Sequence, residues 1–182
     1  DAALQAMQDH AVTIFCGVPT MYIGILNLPG AEDRHDLGRI ARHLRLGVSG
    51  GAAMPVAVLR QFEEKFGVII LEGFGLSETS PVATFNHLEC ERLPGSIGQP
   101  IIGVEVAIMD ESDQLLPAGK DGEIVVRGHN VMKGYYKRPE ATAAAIRDGW
   151  FHTGDIGRRD EQGNFFVVDR IKDMVIRGGF NV

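Results

Sequence analysis

The sequence predicts an α/β fold: part of an open, mostly parallel sheet with helices, followed by a small antiparallel β subdomain of distorted-barrel type. Three observations carry that expectation. Before Pro94, short runs of β-formers alternate with helical patterns. After it, short strands are parted by Gly, Asp and Pro turns. Glycine numbers 23 of 182 residues, well above its usual share of about 7%. Many of these glycines sit beside polar residues, as expected where backbone turns pack closely around a ligand.

Taken in order, Leu4 to His10 reads as the end of a helix and Val12 to Val18 as a buried strand stopped by Pro19. Thr20 to Leu28 follows as a helix with Thr20 as its cap. Leu44 to Val48 is a second strand. Pro55 opens a helix through Phe66, with Val56, Leu59, Phe62 and Phe66 on one face and Gly67 as its stop. Val68 to Leu71 is the third strand of the α/β part. Beyond Pro94, Val104, Val106 and Ile108 alternate with polar or small residues, Gly122-Glu123 leads into Ile124-Val125-Val126, and Gly163-Asn164 precedes a strand from Phe165 to Val168. Ala141 to Arg147 is the one helix expected there. The change of pattern puts a domain boundary near Leu93, giving an α/β part over 1–93 and a β-rich subdomain over 94–168.

Composition narrows the function classes. The chain is 45% hydrophobic and 23% charged, without an apolar run near the roughly 20 residues needed to span a bilayer. A net charge of -6 argues against a generic nucleic-acid binder. Cys16 and Cys90 stand alone, without metal-site or CxxC spacing, and read as reduced thiols of a cytoplasmic protein. No lipidation motif or secretory signal is visible. The basic stretch of Arg34, His35, Arg39, Arg42, His43 and Arg45 reads as a solvated helix face rather than a phosphate-docking surface.

In open α/β sheets, ligands bind beyond the carboxyl ends of the strands. Two small-residue segments fall there, Ser49-Gly50-Gly51-Ala52-Ala53 and Glu72-Gly73-Phe74-Gly75-Leu76-Ser77-Glu78-Thr79. The first lets a flat ring approach the backbone, or is a tight strand-to-helix turn needing glycine for its own geometry. In the second, Phe74 offers a π face to a purine, and Ser77 and Glu78 offer a hydroxyl and a carboxylate to phosphates and magnesium, which favours oxygen ligands. Read alone, the segment is favoured as a solvated loop with a buried Phe. Neither GxGxxG nor GxxxxGK[ST] is present, so dinucleotide and P-loop sites are excluded on their own terms. In Trp150-Phe151-His152-Thr153-Gly154-Asp155, the Asp155 carboxylate suits a ribose diol, and Arg170 offers several donors in a rigid fork to the same sugar or a phosphate. A surface salt bridge between the two is the competing reading. His152 lacks a nucleophile partner and reads as packing or hydrogen-bonding within its loop rather than acting as a base.

The segments Val18-Pro19-Thr20, Ser49 to Ala52, Gly73 to Thr79, Gly122 to Gly128, Gly134-Tyr135-Tyr136, Gly149 to Asp155 and Asp169 to Asp173 resemble, in this order, the motifs of adenylate-forming enzymes. That superfamily contains acyl-CoA synthetases, luciferases and peptide-synthetase adenylation domains. The resemblance covers nearly the whole chain and is closest to fatty-acyl-CoA synthetases, through Ser77-Glu78-Thr79-Ser80-Pro81 and Gly178-Gly179-Phe180-Asn181-Val182. It implies that Gly51, Ala52, Phe74 and Gly75 border the adenine, that Ser77 touches the α-phosphate, and that Glu78 holds Mg2+. It further implies that Asp155 and Arg170 bind the ribose and that Lys172 is the hinge, within 169–182, to a C-terminal domain. Phe74 stands where tyrosine is commoner and Ser77 where threonine is commoner; both keep the chemistry.

The implied reaction activates a carboxylic acid with ATP to acyl-AMP and passes the acyl group to coenzyme A. The alternatives are loading of a carrier-protein thiol, or a non-catalytic nucleotide-binding module. Met21, Tyr22, Gly75, Val82 and Ala83 would line the acyl pocket. The family's phosphate loop and its C-terminal lysine are expected outside this chain, which on that expectation is a piece of a longer protein and inactive by itself.

Overall fold

The computed structural model describes residues 1–170, 176, 177, 180 and 181. The chain groups into two compact units, Asp1–Glu72 with Ile176–Val182, and Gly73–Val175.

The first unit runs α1 (Ala2–Asp9), β1 (Ile14–Gly17), α2 (Pro19–Leu26), α3 (Ala31–Arg34), α4 (Leu37–His43), β2 (Leu46–Ser49), α5 (Val56–Phe66) and β3 (Ile69–Phe74), whose last two residues belong to the second unit. The three strands are parallel, with Cys16 opposite Val48 and Ser49 opposite Glu72. Their carboxyl ends therefore share one edge, as the alternation of strands and helices predicts. Helix α2 starts at Pro19 with Val18 as its cap residue, and no side chain caps it. The expected Thr20 cap is thus corrected: proline's fixed φ suits the first helical position, which puts Thr20 inside the helix. Helix α5 ends on Gly67 in the left-handed conformation (φ 62°), as expected. Its buried side chains are Phe62 and Phe66, whereas Val56, expected on the same face, is exposed in the first turn.

The core of this unit is aromatic at its centre. Tyr22, Phe62 and Phe66 are almost fully buried together with Leu4, Ile40 and Ile70. The Tyr22 ring meets Phe15 and Phe62 edge-on, with centroids 5.1 and 4.8 Å away, and Phe62 lies 4.5 Å from Phe66. The Tyr22 hydroxyl has the Val48 and Phe15 carbonyls at 2.8 and 3.1 Å, and burial pushes its pKa above the usual phenol range. Tyr22 is thereby a core residue with its polar end satisfied, not the acyl-pocket wall expected from the resemblance. Ala83, in the core of the second unit, is likewise fully buried.

The basic stretch is mostly a solvated surface, with Arg34, Arg39, Arg42 and Arg45 exposed. His35 departs from it: the ring is buried and its Nε2 lies 2.7 Å from the Asp1 carboxylate. Asp36 caps α4 by accepting from the Arg39 backbone N–H. Cys16 and Cys90 are free and exposed.

In the second unit, the strands are β4 (Thr84–Phe85), β5 (Ser96–Pro100), β6 (Val104–Met109), β7 (Asp121–Gly128), β8 (Ile146–Arg147), β9 (Trp150–Arg159) and β10 (Phe165–Arg170), with α6 (Pro139–Ala145) before β8. They pair antiparallel in the order β4-β5-β10-β9-β7-β6, and β8 forms a hairpin with β9. In β6 the alternation read from sequence holds: Val104, Val106 and Ile108 are buried and Glu105 faces out. They pack with Ile124, Val126 and Phe165 in one cluster. The expected helix over Ala141–Arg147 starts earlier, at Pro139, and yields its last two residues to β8. Beyond β10, β11 (Ile176–Arg177) and β12 (Phe180–Asn181) pair antiparallel. No helix among the described residues is long and apolar enough to cross a membrane.

Truncating Phe62 to alanine removes the ring on which Tyr22 and Phe66 both pack. Phe62→Ala should destabilise the chain by about 3–5 kcal/mol, read as a lower denaturation midpoint with an unchanged slope.

Candidate functional site

The second unit brings two of the expected carboxylates into defined settings. After β3, Gly75 passes so close to the chain at Pro81 that a Cβ there would lie 1.7 Å from the Pro81 carbonyl oxygen. Only glycine fits, so this residue is explained by the turn's own packing. The Ser80–Pro81 peptide is cis. Between the two strands of this doubled-back path lies a single 3-10 turn, Ser77–Thr79. Ser77 is exposed, Glu78 half-buried and Thr79 fully buried. The Thr79 hydroxyl accepts from the Leu76 N–H at 2.9 Å, and its own proton has the Leu76 and Pro81 carbonyls at 3.0 Å. Phe74 is half-buried against the Val104–Phe165 cluster and accepts the Ala83 N–H at 2.8 Å.

A later segment, between β7 and α6, holds this turn. The buried Asn130 amide donates to the Thr79 and Val82 carbonyls at 3.0 and 2.7 Å, and the Met132 N–H donates to the Glu78 carbonyl at 2.8 Å. The Tyr135 hydroxyl donates to Glu78 Oε1 at 2.8 Å. Burial, then the Glu78 hydrogen bond and charge, hold the Tyr135 pKa above the usual phenol range. Sequence reasoning did not assign roles to Asn130, Met132 or Tyr135. Gly134-Tyr135-Tyr136 is a visible motif, but which side chain faces Glu78 depends on long-range pairing.

Asp155 sits in β9 and is 1% exposed. Its Cα partner across the β9–β10 ladder is Arg170, beside a register shift at Val167/Asp169. Two residues far apart in the sequence are thus opposed by strand pairing. Asp155 is thus a buried carboxylate and not a surface one. The approach to Asp155 is fixed by Glu123: one carboxylate oxygen accepts the Gly154 N–H at 2.8 Å, and the other lies 2.8 Å from His152 Nδ1. Thr153 Oγ1 donates to the Ile124 carbonyl at 2.7 Å and accepts the Asp155 N–H at 3.1 Å. His152 is buried between Glu123 and Arg147, and Arg147 forms a two-point ion pair with Asp113. The histidine ring is buried and hydrogen-bonded, to partners on β7 and β8 rather than within its own loop. Arg127 lies 4.4 Å over the Trp150 ring, which holds the start of β9.

In the first unit, Gly51 and Ala52 follow β2. Gly51 has φ +78°, a conformation that favours glycine, so the tight-turn explanation for this residue stands on its own. Ser49 is buried with its hydroxyl 3.7 Å from the Met54 sulfur, and Met54 N–H donates to Glu72 Oε1 at 3.2 Å. Burial raises the Glu72 pKa, a shift that the Met54 hydrogen bond partly opposes. Lys172 lies outside the described residues, as does the side chain of Arg170.

The donor set fits a magnesium ion bound together with phosphates. Among the described residues no three His, Cys, Asp or Glu side chains converge on one point. Glu78 supplies a single carboxylate, and magnesium characteristically takes one or two carboxylates, with phosphate oxygens and water completing the shell.

The chain belongs to the AMP-binding enzyme family, whose pattern matches residues 1–136. It is 45% identical over 180 residues to a long-chain-fatty-acid–CoA ligase of Bacillus subtilis (strain 168), covering 98% of this chain and 31% of that protein. It is 41% identical over 182 residues to a feruloyl-CoA synthase of an Amycolatopsis species, covering 100% of this chain and 36% of the relative. Among solved structures it is similar to ATP-bound MatB from Rhodopseudomonas palustris, with a TM-score of 0.84 and 39% identity, covering all of this chain and 35% of that one. The chain therefore spans about a third of the length of these relatives.

The Glu72 environment gives a pH dependence. Burial raises its folded-state pKa above the unfolded value of about 4.3, so folding favours the protonated form. This contribution is fully present below the unfolded pKa and is lost as pH rises through the folded one. Glu72→Gln, which keeps an acceptor for Met54 without the charge, should melt higher than the parent at pH 7. The difference should close as the pH falls to about 4, measured by calorimetry across that range.

Proposed function

We propose that this chain is part of an acid–CoA ligase. Such an enzyme activates a carboxylic acid with ATP to acyl-AMP and pyrophosphate, then transfers the acyl group to the thiol of coenzyme A. The observation that carries the reading is the pairing in one unit of two carboxylates in different settings: Glu78, half-buried on a clamped turn, and Asp155, buried opposite Arg170 in the strand ladder. A carboxylate reachable from solvent suits a cation held with polyphosphate, and one sunk in a ladder beside an arginine position suits the hydroxyls of a ribose. Family membership and identity to two CoA-linked relatives support it.

In this reading Gly51, Ala52 and Phe74 border the adenine, Gly75 shapes the turn, and the Ser77 hydroxyl donates to the α-phosphate. Asp155 and Arg170 hold the ribose, and Glu78 holds Mg2+. Bound at Glu78, magnesium would supply positive charge to the phosphates. The protein's part is positioning and charge stabilisation, without a covalent protein intermediate. In the parent protein, 1–93 and 94–168 belong to the large domain, and Lys172 within 169–182 is the hinge to the C-terminal domain. The two curated relatives are named for different acids, a long-chain fatty acid and a feruloyl group. A fatty acid is the substrate we propose, because the higher identity is to the fatty-acid ligase and Ser77-Glu78-Thr79-Ser80-Pro81 resembles that group.

In the full-length protein, Glu78→Gln should lower pyrophosphate release by about tenfold or more, the scale of one transition-state electrostatic contact, with little change in melting temperature. Normal release at limiting magnesium would sink the metal role. Turnover with a panel of carboxylic acids, with coenzyme A set against a phosphopantetheinyl carrier protein, tests substrate and acceptor. Preference for the carrier, or for aryl acids, would replace this reading.

A further inference from the structure

The turn bearing Glu78 is fixed by three residues of one later segment, and each fixes something different. Asn130 ties the turn's far side through two carbonyls, and Met132 ties the backbone of Glu78 itself. Tyr135 alone reaches the carboxylate, at Oε1. The remaining oxygen, Oε2, accepts no hydrogen bond among the described residues.

Tyr135 is itself held. Its backbone N–H donates to Thr142 Oγ1 at 2.9 Å, and the Thr142 hydroxyl donates to the Arg138 carbonyl at 2.9 Å, so the first turn of α6 anchors the tyrosine. The preceding Gly134 packs so tightly on Thr142 that a Cβ would lie 2.6 Å from its methyl. A free glutamate has several rotamers, and fixing such a long side chain carries an entropic cost. A phenol already anchored by its own backbone bears that cost before any ligand arrives. Tyr135 remains 38% exposed, so its hydroxyl is not a structural filler buried in a core.

We propose that Tyr135 is a positioning residue for Glu78: its hydroxyl occupies Oε1 and directs Oε2 toward a divalent cation bound with nucleotide phosphates. The inference rests on Glu78 being the metal carboxylate, and it adds the residue that sets the carboxylate's rotamer. It requires no change of backbone, because Met132 already fixes the turn at position 78.

The test compares Tyr135→Phe, Glu78→Gln and the double variant in the full-length protein. Calorimetric titration gives the gain in ATP affinity on replacing EDTA with Mg2+, and pyrophosphate release gives the Mg2+ concentration for half-maximal rate. Tyr135→Phe should cut the affinity gain by about 3–10-fold, the range of a typical net hydrogen-bond contribution. ATP affinity in EDTA and the melting temperature should stay near those of the parent, and half-maximal release should need more Mg2+. The double variant should be no worse than Glu78→Gln alone. A full magnesium gain in Tyr135→Phe, with the gain lost in Glu78→Gln, overturns the role of Tyr135 and leaves the metal reading standing. A full gain in both overturns the metal reading first and this inference with it. A drop in melting temperature in Tyr135→Phe with the magnesium gain intact makes Tyr135 a structural staple and overturns the proposal.

Discussion

The buried amide of Asn130 sets the path on which this site depends. Its two N–H groups go to Thr79 and Val82, on either side of the Ser80–Pro81 peptide. Thr79 ends the 3-10 turn and Val82 lies outside any strand, and leaving such carbonyls unpaired in a buried position costs on the order of 1–3 kcal/mol each. A single side chain satisfies both and closes the return leg of the turn. Only with that leg in place does Pro81 press on Gly75, and only then do Ser77 and Glu78 project from a fixed backbone. Met132 and Tyr135 refine a geometry that Asn130 makes possible.

Asp155 is fixed by different means. There the ladder does the work: a register shift in β7–β9 between Glu123 and Val125, and one in β9–β10 between Val167 and Asp169, interrupt regular pairing on both sides of β9. Glu123 fills one interruption by accepting the Gly154 N–H, so the backbone that irregular pairing leaves without a strand partner is satisfied by a side chain. Bulges of this kind aim side chains, and Asp155 is the residue aimed. One carboxylate is therefore presented by a turn clamped from outside, the other by a defect within a sheet.

Much of this was legible in the sequence. The three parallel strands, the Phe62–Phe66 stripe, the Gly67 stop and the alternation of Val104, Val106 and Ile108 follow from local periodicity, which a strand or helix face imposes directly. Boundaries were less legible. Thr20 reads as a cap until the proline before it takes the first helical position, and Arg147 reads as helix until Asp148 and Gly149, both at positive φ, turn it into a hairpin. Tyr22 was misread because an amphipathic ring in an apolar run suits either a pocket wall or a core, and only the carbonyls of Val48 and Phe15 decide it. At the candidate site, residue types singled out Glu78 and Asp155 for attention. Their supports, Asn130, Tyr135 and Glu123, were not announced, because a hydrogen bond spanning 57 residues, as from Tyr135 to Glu78, leaves no local pattern.

The contact between Gly75 and Pro81 has a consequence for how this loop can vary. At position 75 even a methyl group collides with backbone, so this residue has no freedom to change. Two residues on, Ser77 is open to solvent, and a hydroxyl there can be exchanged for another without disturbing a neighbour. Substitution tolerance along the loop therefore rises from the packed glycine to the open serine. A chain built on this turn could change the polar group offered at 77 by single replacements while the glycine beneath it stayed fixed, so position 75 is the hinge-pin of the loop's shape.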